Sequence, residues 1–97
     1  MKGILKDRYG FWGLIAGAAE GLGSAFSRSL AESGMNLILV DLQTAPLNSL
    51  ARELETSFGI QVKVMCLDLA AESSVEQIME AVDDKACRLN IYNAAFS

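Results

Sequence analysis

Histidine is absent from this sequence, which removes the commonest general base at neutral pH and the commonest metal ligand from any site the chain could build. Cysteine is scarce. Cys66 and Cys87 form no C-x-x-C unit, and their apolar surroundings make reduced, packed thiols the expectation rather than a disulfide or a metal site. Basic residues are the minority, 8 against 12 acidic for a formal charge of −4, so there is no electrostatic footprint for nucleic acid and no basic face for a membrane surface. No apolar run approaches the ~18 residues of a membrane span, and the leader MKGILKDRYG has too short an apolar run for a signal peptide; a cytoplasmic chain is expected. What remains is 97 residues, 52% hydrophobic and with a single proline, enough for one small core, and one domain over residues 1–97 is expected.

Hydrophobic patterning divides the chain into alternating short and long segments. Phe11 to Ala16 is a continuous apolar run, of the kind found in strands buried on both faces. From Gly21 to Ser33 the positions Leu22, Ala25, Phe26 and Leu30 recur at helical spacing, with Gly34 as a stop. Leu37 to Val40 is again short and apolar and ends at Asp41. Thr44 is the expected cap of a second helix, with Pro46 in its first turn and Leu47, Leu50, Leu54 and Phe58 on one face before Gly59. Val62 to Leu67 predicts a third strand ending at Asp68. Ser73 and Glu76 read as a capping box for a helix running to about Asp84, and Leu89 to Tyr92 as a fourth strand. The pattern β-α-β-α-β-α-β with short loops calls for an α/β fold, a doubly wound parallel sheet with right-handed crossovers. Such a sheet normally continues into a second half, so this reads as the amino-terminal portion only, truncated after the fourth strand.

In an open α/β sheet, ligands sit beyond the carboxyl ends of the strands. Those ends carry the stretch IAGAAEGLGS, Asp41, Asp68 and Asn93. Three glycines where a strand gives way to a helix allow a tight turn, close approach of the backbone to a pyrophosphate, and close packing of the helix on the sheet. The first N–H groups of the helix then face the phosphates. Glycine-rich turns also occur with no ligand, so the spacing Gly17-x-x-x-Gly21-x-Gly23 is weak evidence alone. Asp41, about twenty residues on, stands where a carboxylate accepts from the hydroxyls of an adenosine ribose. Asp68 is open to two readings, acceptor from an adenine amino group or cap of its own loop. Asn93, followed by Ala94 and Ala95, fits either a ligand contact or an Asn-led turn.

These residues resemble the short-chain dehydrogenase/reductases, whose glycine motif has the same spacing, and the likeness covers essentially the whole chain. It implies a Rossmann-type sheet that binds NAD through Gly17, Ala19, Glu20, Gly21, Leu22 and Gly23 in the turn, Asp41 and Leu42 at the ribose, Asp68 and Leu69 at the adenine, and Asn93, Ala94 and Ala95 after the fourth strand. YGFWGLIAGA and IYNAAFS look most like the branch containing hydroxysteroid dehydrogenases and long-chain 3-oxoacyl reductases. The chain departs from the family pattern at Ala16, usually threonine, at Tyr92, often asparagine, and at Ala95, often glycine.

The resemblance further implies a catalytic serine and a tyrosine four residues before a lysine. Tyr9 is followed four residues on by Gly13 and Tyr92 by Phe96, so this sequence contains no such pair. The expectation is a cofactor-binding part of an alcohol or carbonyl oxidoreductase, inactive by itself, with a small-molecule substrate and no nucleic-acid or membrane partner. An open fourth-strand edge invites self-association. The alternatives are a non-catalytic nucleotide-binding domain and, with a tighter glycine turn than is present here, an S-adenosylmethionine-dependent methyltransferase.

Overall fold

The computed structural model describes residues 11–19, 21–85 and 89–92. Its elements run in the order β1 (Trp12–Ala16), α1 (Gly21–Glu32), β2 (Asn36–Asp41), α2 (Thr44–Phe58), β3 (Val62–Cys66), α3 (Glu72–Lys85) and β4 (Leu89–Tyr92). The four strands form one parallel sheet in the order β3-β2-β1-β4, so the first two strands lie inside it. That position explains their composition. A strand covered on both faces needs apolar residues at every position rather than at alternate ones, and β1 and β2 are buried throughout.

Alternation along the strands sorts the core into two layers. Ile15, Leu37 and Leu39 face α1 and α2, where they meet Leu47, Leu50 and Leu54. Trp12, Leu14, Ala16, Ile38 and Val40 face the other way, onto Ile78 and Ala81 of α3. Leu14, Ile15, Leu37, Ile38, Leu39 and Val40 are fully buried, and each such side chain contributes roughly 1.5–3 kcal/mol relative to exposure. The α2 stripe expected from the sequence is confirmed at Leu47, Leu50 and Leu54, with Phe58 partly buried. Gly59 closes that helix in the left-handed region, φ 68°, donating its N–H to Glu55 O at 3.0 Å.

Several local expectations are corrected. In α1 the buried face is Gly23, Ser27 and Ala31, not the apolar stripe; Leu22, Ala25 and Phe26 are exposed and only Leu30 is partly buried. At Gly23 the reason is explicit, since a side chain there would strike the backbone of Gly17 in the turn after β1. Ser27 is accommodated there by donating its hydroxyl to Gly23 O at 2.8 Å. Thr44 is inside α2 rather than capping it; Gln43 occupies the cap position and makes no side-chain capping bond. α3 opens at Glu72, ahead of Ser73, so Ser73 and Glu76 do not form the expected box. Ser74 instead ties the helix start back by donating its hydroxyl to Asp68 O at 2.6 Å. Cys66 is exposed rather than packed, because it sits at the carboxyl end of an edge strand; Cys87 lies outside the described residues.

Candidate functional site

The parallel strands place the carboxyl ends of β1, β2 and β3 along one edge of the sheet, and the turn after β1 crosses the end of β2. Gly17 has φ 77°, a conformation that a side chain disfavours. It lets the chain reverse over β2, where the N–H groups of Gly17 and Ala18 both donate to Val40 O, at 2.7 and 3.1 Å. Gly23 serves a different end: a Cβ there would lie 2.1 Å from Gly17 O and 2.9 Å from Gly17 C. Helix and turn therefore touch backbone to backbone. Gly21 is the opposite case, because a Cβ at that position meets nothing within 4 Å. Among the described residues, the space beside Gly21 at the helix start is open. The first N–H groups of α1 face it, as at any helix start they lack intrahelical partners, and the helix dipole makes that end favourable for an anion.

Asp41 closes β2 and is 6% exposed. Its Oδ2 accepts from the N–H of Ala19 at 2.9 Å and its Oδ1 from that of Gln43 at 3.1 Å. Burial of a carboxylate is costly without such partners, and two backbone donors meet the requirement. Leu42, next in sequence, and Leu22, in the first turn of α1, are both exposed. Asp68, on the next strand end, turns its Oδ1 to the N–H of Ala70 at 2.9 Å, so the loop-capping reading of this carboxylate is realised. Leu69 packs inward against the α3-side core. The structure brings Gly17 against Gly23 and ties Ala19 to Asp41, with Gly21 and Leu22 opening α1 and Leu42 following Asp41; Glu20, Asn93, Ala94 and Ala95 lie outside the described residues. Sequence reasoning missed the Val40 carbonyl, which anchors the turn, and no sequence signal could have found a main-chain acceptor. It missed Ser27 too, although small residues at 23, 27 and 31, one turn apart, do mark a close-packed helix face.

Among the described residues no cluster of His, Cys, Asp or Glu is arranged to hold a metal ion, and no helix is long and apolar enough to cross a membrane. The donor set fits a dinucleotide: glycine-bared backbone and helix N–H groups for a pyrophosphate, and a buried carboxylate at the end of β2 with acceptor capacity left for ribose hydroxyls.

Comparison with known proteins agrees with this geometry. The 7beta-hydroxysteroid dehydrogenase of Collinsella aerofaciens is 38% identical over 79 residues, a stretch covering 81% of this chain and 30% of that protein. The very-long-chain 3-oxoacyl-CoA reductase of Aspergillus fumigatus is 37% identical over 76 residues, covering 76% of this chain and 22% of the reductase. The crystal structure of L-sorbose reductase from Gluconobacter frateurii, complexed with NADPH and L-sorbose, superposes with a TM-score of 0.72 at 31% identity, over 77% of this chain and 28% of that one. The chain therefore spans about 30% or less of the length of these relatives. The family model for short chain dehydrogenases matches residues 12–96. With the glycine turn, the carboxylate at the end of β2 and the β3-β2-β1-β4 sheet in place, the chain belongs to the short-chain dehydrogenase family.

Proposed function

We propose that these residues form the nucleotide-binding part of an NAD-dependent oxidoreductase that interconverts an alcohol with a ketone or aldehyde. The observation that carries the proposal is the contrast between Gly23, whose missing side chain is required by the fold, and Gly21, whose missing side chain faces open space at a helix start. A fold has no use for the second absence, whereas a pyrophosphate lying against the helix N–H groups does. Gly17, Gly21, Leu22 and Gly23 would hold the pyrophosphate, Asp41 and Leu42 the adenosine ribose, and Asp68 and Leu69 the adenine. When bound, the nicotinamide accepts or donates the hydride. The share of this chain is to bind and orient the nucleotide.

Asp41 favours NAD over NADP, because a 2'-phosphate would meet a buried carboxylate of like charge. The sorbose reductase binds NADPH, so nucleotide preference is the finer part of the proposal and rests on Asp41. The chain carries no tyrosine followed four residues later by lysine; alone, it should transfer no hydride. β4 pairs with β1 along one edge, and its other edge is proposed to support self-association.

Calorimetric titration of the chain with NAD, NADP and S-adenosylmethionine tests the reading. Saturable binding of NAD, with NADP at least about tenfold weaker and no binding of S-adenosylmethionine, is expected. Equal or tighter binding of NADP would remove the assigned preference, and failure of all three to bind would remove the function.

A further inference from the structure

The amides of Gly17, Ala18 and Ala19 are consecutive, and all three donate to the end of β2: the first two to Val40 O and the third to the side chain of Asp41. Among these anchors Asp41 is the one side chain. Its other oxygen takes the N–H of Gln43, at the start of the β2–α2 connection. One buried carboxylate thus joins the loops that follow β1 and β2, two neighbouring strands. We infer that Asp41 is a positioning residue for the glycine turn, holding it in its receptive shape before any nucleotide arrives, in addition to the ribose contact proposed above. Each carboxylate oxygen has two acceptor directions, so one N–H bond on each still leaves acceptor capacity for a ribose hydroxyl.

The consequence is that nucleotide preference and turn geometry are coupled through the same atoms. A residue that only discriminates between two nucleotides can be changed to exchange one for the other. Replacing Asp41 alone should instead weaken both NAD and NADP, since it releases Ala19 and Gln43 and with them the turn that receives the pyrophosphate. Asn is the informative substitution. It keeps the shape and one acceptor, but its amide NH2 faces one of the two backbone N–H groups, donor against donor.

Although the inference rests on the nucleotide-binding reading, its test needs no nucleotide. Amide hydrogen exchange is followed residue by residue in the wild-type chain, in Asp41→Asn and in Leu54→Ala, a core variant that reports general loss of stability. The Leu37 amide, which donates to Gln61 O inside the sheet, serves as an internal reference. In Asp41→Asn, Ala19 or Gln43 should exchange about tenfold faster or more relative to Leu37, as loss of a charge-assisted bond implies, and Leu54→Ala should show no such local excess. If both amides merely track Leu37 in Asp41→Asn as they do in Leu54→Ala, the positioning role is overturned. Absence of NAD binding to the wild-type chain would instead sink the proposed function and leave the exchange result standing.

Discussion

The carbonyl oxygen of Gly17 and the Cα of Gly23 are so close that a Cβ on Gly23 would sit 2.1 Å from that oxygen. Both partners are backbone, so no flexible side chain can move aside. Gly23→Ala should therefore destabilise the chain by about 2 kcal/mol or more, outweighing the gain of roughly 1 kcal/mol that alanine brings inside a helix. Denaturant unfolding of the two proteins side by side checks this; a neutral or stabilising alanine would show that helix and turn do not touch as described.

Leu39 is fully buried between β2 and the helices α1 and α2. Leu39→Ala should cost about 2–5 kcal/mol in the same unfolding measurement, from lost transfer energy and the cavity left behind. That is a large share of the stability of so small a domain.

Arg28 of α1 and Glu53 of α2 form an ion pair across the helix pair, with side chains 47% and 45% exposed. Water screens both partners at that exposure, so a double-mutant cycle should give a coupling of at most about 1 kcal/mol, falling further in ~1 M salt. A larger, salt-independent coupling would mean that the pair is sheltered in solution.

Cys66 is exposed at the end of β3. In a Cys87→Ser variant its thiol should react with an aromatic disulfide reagent in the folded state at a rate within about tenfold of that in denaturant. Protection by orders of magnitude would restore the packed thiol expected from sequence.

What the sequence disclosed follows the strength of the physical signal. β1 and β2 were legible because burial on both faces leaves an unbroken apolar run, and α2 because Leu47, Leu50 and Leu54 repeat at helical period against the sheet. The glycine turn and the end of β2 at Asp41 were legible as neighbouring features, and the bond from Ala19 to Asp41 shows that they touch. α1 misled because its contact with the sheet is made by Gly23, Ser27 and Ala31, so Leu22 and Phe26 mimic a core stripe while facing outward. The helix starts differ from the expected caps: Gln43 precedes α2 with its N–H on Asp41, and Ser74 in the first turn of α3 donates its hydroxyl to Asp68 O, long-range and main-chain partners that a capping pattern does not reveal. Asp41 itself was read as a ligand contact, and its bond to Ala19 was invisible, since 22 residues of sequence separate them.

The central claim is that the open space before α1 belongs to a dinucleotide, and Gly21→Val addresses it most directly. Among the described residues, the Cβ of a valine at Gly21 would meet no non-neighbouring atom within 4 Å, so the midpoint of thermal unfolding should stay within a few degrees of wild type, on the order of a 1 kcal/mol change or less. Its side chain would occupy the place assigned to the pyrophosphate. NAD affinity, titrated on the same preparation, should then fall by about a hundredfold or more, the equivalent of roughly 2.7 kcal/mol. An unchanged NAD affinity in a folded Gly21→Val chain would contradict the account, since the nucleotide would have to bind elsewhere.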